Sequence, residues 1–478
     1  MTRETTSSEC EVVEAVRLAA VSWREIALSD RLAVLRRFRV CVAQEVSRLG
    51  ELVASPTLDE AEALSAEILP FLDACRFLER EATKILADSK VFGKSVGWFG
   101  SSEEVWDQRE AFGVVGIIAP SNYRFFIGAV QVMQALVAGN GVVWKPGLGG
   151  GAAAGFLRNA WEQSGGTPGG LKVLDEGAEA GRALVEGRPD LLVFTGSSET
   201  GLKVAERCGA LGIPTIIEAS GCDAMFILED ADLLLAAKAL VFGLRLNAGR
   251  TCIAPRRVIV MDSVAEAFER MVANEVVAWR GLGWEGSAAD RICGWVEEAR
   301  TGGAVLLGGG SFGAGICVYA GCEPVMRIVR EDVHAPVAGI LRVPSETEAL
   351  RVAQATDYGL GASVFSRDIG RARRFAGRVQ AGTVTINDVV VPTADARAGF
   401  GGWGRSGWGV TRGREGLLSM TRGRTVHVCP AKEHAHLGRM RPSAFFFRAC
   451  VAFRHGGRPI FGLLGMVVGL WKMIFVRK

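Results

Sequence analysis

From Gly113 onward, short runs rich in Val and Ile alternate with helical stretches, and this alternation limits the fold more than any other feature. "GVVGIIAP" (113–120), "GVVWKP" (141–146), "LKVLDE" (171–176), "LLVFTG" (191–196) and "PTIIEAS" (214–220) have the length and composition of strands. "FFIGAVQVMQALVAGN" (125–140) and "AAAGFLRNAWEQSG" (152–165) lie between them and are long enough for helices. Strand–helix–strand units of this kind close with a right-handed crossover into a parallel sheet. In such sheets ligands collect at the carboxyl ends of the strands. A second series follows from Ala224 to Phe400, with "RRVIVMD", "GAVLLGG", "HAPVAGILRV" and "GTVTIN" as strand candidates. The chain therefore reads as α/β with two such regions, and its 478 residues exceed what one core serves. No internal repeat is present.

The first hundred residues read as helical. "TLDEAEALSAEILPFLDACRFLEREATKIL" opens with Thr57 and Glu60 at the spacing of a capping box. The glycine-rich "GFGGWGRSGWGVTRGREG" (399–416) reads as a loop crossing back. A net charge of +3 gives no field that calls for nucleic acid. Eleven cysteines without a C-x-x-C pair point to free thiols in a reducing compartment. "MTRETTSSECEVVEAV" has no apolar run after a basic start and does not read as a signal peptide. The last twenty residues, "PIFGLLGMVVGLWKMIFVRK", are apolar apart from Lys472 and the basic end. They are near the lower limit for crossing a bilayer, which takes about 20 residues. A tail lying in the membrane surface, anchored by Trp471 and the flanking arginines, fits as well, and so does a helix packed on protein.

Chemistry gathers at the strand ends. Asn122 follows the first strand, Lys145 closes the second, and Gly196-Ser197, with Gly201 further on, forms a glycine-bounded turn into a helix. Such a turn aims backbone N–H groups at a phosphate. Glu218 ends an apolar strand, where a carboxylate is costly unless it has a partner or a task. Cys252 sits 34 residues later in the polar turn "LNAGRTCIAPRR". A thiol nucleophile needs a base and donors for an oxyanion, and Cys252, Glu218 and Asn122 supply those parts.

From about residue 20 to 430 the sequence resembles the aldehyde dehydrogenase superfamily. The segments that carry the likeness come in the family's order: "GVVGIIAPSNY", "ALVAGNGVVWKP", "FTGSSETG", "IEASG", "NAGRTCIAPRRVIV", "YGLGASVFSRDIGRARRFAGRVQAGTVTIND" and "GFGGWGRSGWG". The resemblance implies a Rossmann-like cofactor domain, an α/β catalytic domain and a small oligomerisation extension. It implies NAD or NADP as cofactor and a homodimer or tetramer, without nucleic acid or metal. Cys252 would attack the aldehyde, Asn122 and the Cys252 N–H would hold the oxyanion, and Glu218 would activate water against the thioester. Lys145, Gly196, Ser197, Gly201 and Asp332 would contact the cofactor. Expected boundaries are 1–220 for the N-terminal helices and cofactor domain, with 91–111 as an oligomerisation segment. The catalytic domain takes 221–405, a return segment 406–432 and the tail 433–478.

Several positions depart from the family pattern. Leu148 replaces the glutamate that would hold the adenosine ribose, so the choice between NAD and NADP stays open. "DVHAP" puts Asp332 and His334 where the family has glutamate and an aromatic residue. "PSNYR" brings Arg124 close to where substrate would approach, and Arg250 is a cation expected to favour a Cys252 thiolate. The segments lining the cleft hold no arginine cluster. With the tail, this favours a hydrophobic aldehyde, long-chain or isoprenoid, oxidised on the cytoplasmic side, with the tail as a membrane-surface contact. Thioester transfer to coenzyme A or acyl reduction, and a non-catalytic membrane-associated scaffold of the same fold, are the other two readings. "HVCPAKEHAH", with His427, Cys429, His434 and His436, fits no standard zinc spacing and reads as a solvated linker.

Overall fold

The computed structural model describes residues 4–91, 104–283, 289–308, 314–428, 444–457 and 459–475. Contacts divide the chain into two compact units. One holds residues 1–87 and 109–422, the other 88–108 and 423–478.

In the larger unit, helices Glu4–Glu25, Leu28–Gln44 and Val46–Val53 lead to a helical stretch that starts at Glu60. The expected capping box is not what starts it. Residues 55–58 form a tight turn, so the helix begins later and Asp59 is the cap, accepting the Glu62 N–H at 2.8 Å. Thr57 instead donates its hydroxyl to Asn247 Oδ1 at 3.1 Å. The stretch widens into a π-turn at Leu64–Ile68 before running on as Leu69–Ile85. Such turns often mark functional positions, and this one carries the fully buried Glu67.

A six-stranded sheet runs in the order Gly407–Trp408, Thr215–Ala219, Leu191–Gly196, Val114–Ile118, Gly141–Lys145 and Leu171–Val173. All neighbours are parallel except Gly407–Trp408. The stretch read from sequence as a crossing loop thus contains an antiparallel edge strand. Gly407 has a φ of 102°, and a Cβ there would sit 2.0 Å from the Ile217 carbonyl oxygen, so only glycine lets this strand close on the Glu218 strand. The strand Val114–Ile118 is buried throughout because helices cover both faces. The chain winds outward from it to Leu171–Val173, then returns to its other side as Leu191–Gly196. That reversal opens a crevice at the carboxyl ends of Val114–Ile118 and Leu191–Gly196.

A seven-stranded sheet follows: Val305–Leu306, Cys317–Ala320, Val337–Val343, Pro255–Met261, Asp223–Ile227, Gly361–Phe365 and Thr383–Ile386. It is parallel apart from Val305–Leu306. Each sheet has apolar clusters on its faces, built around Trp144 and Phe125 in the first and Phe226 and Phe268 in the second.

Strands Ser89–Lys90, Glu104–Ala111 and Thr421–Val428 form a three-stranded sheet. The smaller unit also holds a helical hairpin, Ala444–His455 and Pro459–Phe475. Gly462, Gly465 and Gly469 lie against Phe453, Ala449 and Phe446, so small residues bring the two helices close. Ile460, Phe461, Leu464, Val467 and Trp471 are exposed. No helix among the described residues is long and apolar enough to cross a membrane. Residues 92–103, Cys429, His434 and His436 lie outside the described residues.

Candidate active site

The crevice is lined by the expected strand-end residues. Ser197 caps the helix Ser198–Leu211, its hydroxyl accepting the Thr200 N–H at 3.3 Å, and Gly196 and Gly201 bracket that first turn. The free N–H groups of a long helix and its dipole favour a phosphate there. Lys145 ends its strand half-buried, with its pKa held below the usual lysine range by burial and supported by Glu176 and then Asp175. Asp332 and His334 present Oδ1 and Nδ1, 3.9 Å apart, both buried and without a hydrogen-bond partner. The helix N-terminus at Ser197 and the Lys145 cation, at the carboxyl ends of strands of one sheet, suit an anion such as a phosphate.

Two arrangements here differ from expectation. Leu148 is 70% exposed, yet a carboxylate does serve its loop: Glu176 accepts the N–H groups of Gly149 at 2.7 Å and Gly151 at 2.6 Å. Glu176 lies at the carboxyl edge of the neighbouring strand, and the strand order would have revealed it. Arg124 is not turned toward a substrate approach. Its guanidinium lies against Gly149, where an added Cβ would meet Cζ at 2.9 Å. The reason is local, since the 147–151 loop folds over the Pro120–Arg124 segment.

Cys252 is presented by a loop that cannot relax easily. Asn247, Ala248 and Gly249 all have left-handed φ, 50°, 49° and 70°. Strain of this kind persists only when surrounding contacts over-determine it. A Cβ on Gly249 would come within 2.4 Å of the Pro336 nitrogen. Asn247 Nδ2 donates to the Asn122 carbonyl at 2.7 Å, and Asn122 Nδ2 donates to the Arg250 carbonyl at 2.8 Å. Tyr123 and Thr251 share a hydroxyl hydrogen bond of 2.7 Å. The fully buried Arg256 donates to the carbonyls of Gly249, Thr251 and Ala335, clamping this loop to the one that carries Asp332. The Cys252 N–H has no hydrogen-bond acceptor among the described residues, whereas Asn122 uses its Nδ2 on the Arg250 carbonyl and is not among the residues that line the cavity onto which Cys252 opens.

Cys252 opens into a cavity of about 320 Å³ that also contains Glu218 and Arg412. Phe126, Ile127, Phe242, Leu246, Val390 and Phe400 make its walls largely apolar, but two arginines also line it, Arg412 and Arg245, the latter paired with Glu62 at 3.0 Å. The expectation of a cleft without grouped arginines is thus corrected: these two come from elements distant in sequence. Glu218 is 4% exposed and accepts the Thr411 hydroxyl at 2.9 Å. Burial raises the Glu218 pKa, against the pull of Arg412 and the Thr411 bond. Burial also pushes the Cys252 thiol up, with Glu218 and Asp223 adding to it and Arg412 opposing. The cation that opposes the rise at Cys252 is Arg412, and the Arg250 charge bears on His334.

A model of the aldehyde dehydrogenase family matches residues 2–426. The chain belongs to that family. Among its relatives, a 4,4'-diapolycopene aldehyde oxidase from Methylomonas sp is 30% identical over 424 residues, 85% of this chain and 78% of that one. A provisionally named NADP(+) succinate-semialdehyde dehydrogenase from Mycolicibacterium smegmatis is 31% identical over 438 residues, 86% of this chain and 82% of that one. The crystal structure of an NADP-dependent glyceraldehyde-3-phosphate dehydrogenase from Bacillus halodurans, complexed with NADP, superposes with a TM-score of 0.82 at 28% identity, covering 89% and 92% of the two chains. The protein is thus an NAD(P)-dependent aldehyde dehydrogenase.

The aldehyde dehydrogenase site has a support that the sequence did not reveal. Glu67 accepts the N–H groups of Phe125 at 2.7 Å and Phe126 at 2.9 Å, fixing the segment that carries Asn122. Burial raises its pKa to about 7 from 4.5, outweighing those bonds and Arg124. The folded protein therefore holds a proton that the unfolded chain loses above pH 4.5. The stability this contributes is complete below 4.5 and is lost as pH rises through about 7. Between pH 5 and pH 8, wild type should lose on the order of 3 kcal/mol relative to Glu67→Gln. Urea unfolding of both proteins across that range checks it, and parallel curves would refute it.

Proposed function

We propose that this enzyme oxidises a hydrophobic aldehyde, long-chain or isoprenoid, to the carboxylic acid by covalent catalysis at Cys252. The observation that carries the reading is the apolar cavity shared by a nucleophile and a base. Because burial keeps the resting thiol protonated, Glu218 takes its proton. The sulfur then bonds to the carbonyl carbon, and the π pair moves to oxygen, held by the Cys252 N–H and the Asn122 amide. Collapse of that oxyanion restores C=O and expels hydride, leaving a thioester. NAD(P)+, when bound, supplies the hydride acceptor. Glu218 releases the thiol-derived proton to solvent, then deprotonates a water whose oxygen adds to the thioester carbon. The C–S bond breaks, Cys252 leaves as thiolate and regains a proton from Glu218, and the acid departs.

A base in the cavity hydrolyses the thioester, which disfavours transfer to coenzyme A. Lys145, Gly196, Ser197, Gly201 and Asp332 hold the cofactor in this reading. Each methylene buried in such walls contributes about 0.8 kcal/mol. Hence kcat/KM should climb about threefold to fourfold per added CH2 from propanal to decanal. Reduced-cofactor absorbance measures it, with coenzyme A present and absent. A flat series, or preference for succinate semialdehyde, would sink the substrate class.

The tail supports a finer part of this reading, contact with a membrane surface. From His434 to Lys478 the sequence has eight Lys and Arg and no Asp or Glu. The hairpin there exposes Ile460, Phe461, Leu464 and Val467. Exposed apolar area in a segment of net positive charge fits an anionic bilayer face. The full chain should sediment with vesicles containing phosphatidylglycerol, and Leu464→Glu with Val467→Glu should lower the bound fraction by about tenfold. Equal binding by the variant would overturn the contact.

A further inference from the structure

Arg412 follows Thr411 on the return segment and lines the cavity that holds Cys252 and Glu218. Its Nη1 donates to the Thr393 carbonyl at 2.8 Å. The guanidinium lies 4.1 Å from the centre of the Phe400 ring and 5.5 Å from that of Phe126. Two aromatic faces hold a cation in place without neutralising it. Among the described residues, Arg412 closes no ion pair, although Thr411, its neighbour, is bonded to Glu218. A half-buried charge without an ionic partner is costly, and an apolar side chain of similar bulk would fill the space at lower cost. The position therefore makes sense for anions that form inside the cavity.

Those anions are close at hand. Cys252, Glu218 and Arg412 line one cavity, together with Glu62 and Arg245, which pair with each other at 3.0 Å; the charges of Glu218, Asp223 and Asp332 push the Cys252 thiol up and that of Arg412 pulls it down. The buried Tyr123 phenol also adjoins this group. Glu218 faces Arg412 and the Thr411 hydroxyl. We propose that Arg412 is a positioning residue that acts through Cys252 and Glu218, its field stabilising negative charge on whichever of the two carries it. This rests on the covalent reading above. When the thiol proton passes to Glu218, the charge moves from carboxylate to sulfur without leaving Arg412's reach. The same cation therefore serves attack and hydrolysis, and a semi-dry apolar cavity can hold a working thiolate.

The test is the pH dependence of Cys252 alkylation by iodoacetamide, followed by peptide mass, in the full-length enzyme without aldehyde or cofactor. Arg412→Gln and Arg412→Leu should move the midpoint up by about one pH unit, a tenfold slower reaction below it. Arg412→Lys should restore most of the rate. With decanal, kcat of the Gln variant should fall about tenfold and its pH profile shift upward, while KM stays within about twofold. Superimposed alkylation curves for wild type and Arg412→Gln would overturn the proposal. So would unaltered alkylation with a KM defect confined to succinate semialdehyde, which would make Arg412 a substrate-carboxylate anchor. The alkylation arm reads without turnover. A wild type that oxidises no aldehyde would refute the proposed reaction and leave this measurement intact.

Discussion

Cys252→Ala is expected to lower turnover by on the order of 10⁴-fold or more, with cofactor affinity and unfolding midpoint close to wild type. The expectation joins two observations. Sulfur is the atom through which every covalent step passes. The contacts that set its loop belong to Asn122, Asn247, Arg256 and Tyr123, and none of them uses Sγ. The loop should therefore keep its strained shape after the thiol is gone. Calorimetric titration with NAD and NADP and a thermal scan separate a chemical loss from a structural one. Mass spectrometry adds a sharper reading: wild type given aldehyde and cofactor gains one acyl group, and the variant gains none. Residual turnover near 1% of wild type would mean that another group attacks the aldehyde.

The strands were legible because Val and Ile runs of strand length alternate with helical periods, and each strand's end is marked by glycine or proline. That pattern alone puts Lys145, Gly196 and Ser197 at the carboxyl ends of strands of one sheet. Meeting of Glu218 and Cys252 was different. They lie on separate elements, and only the ordered family segments joined them. Arg412 stayed hidden inside a glycine-rich stretch read as a loop, since nothing local shows that its backbone doubles back beside the Glu218 strand. Arg250 is near Cys252 in sequence, whereas Arg412, the cation that opposes the rise of the thiol, reaches the same cavity from the return segment. Glu176 and Glu67 look like ordinary solvated acids in sequence. Their role comes from capping backbone N–H groups of distant segments, which is a property of packing. Thr57 fits a capping box by spacing, yet a tight turn at 55–58 delays the helix and gives the cap to Asp59.

Glu218→Gln should separate the two halves of the reaction. Glutamine keeps the size and can still accept the Thr411 hydroxyl bond through its amide oxygen, so the cavity should hold its shape. It cannot take a proton from water. Steady-state kcat should fall by about 10² to 10⁴-fold, the usual worth of a positioned general base. A burst of reduced cofactor, close to one equivalent per active site, should precede that slow phase, because hydride leaves before water is needed. The burst should itself be slower than in wild type if Glu218 also receives the thiol proton. The pH sign follows from burial. Glu218 works as a base only when ionised, and its pKa is raised by desolvation, so wild-type hydrolysis should increase with pH through a carboxyl titration above the ordinary range. The variant should lack that limb while keeping any limb that belongs to the thiol. Stopped-flow absorbance gives amplitude and both rates, and intact-mass analysis during the slow phase should find the acylated enzyme. If steady-state turnover of Glu218→Gln matched wild type, water would be activated elsewhere, and the raised carboxyl in the cavity would need another explanation.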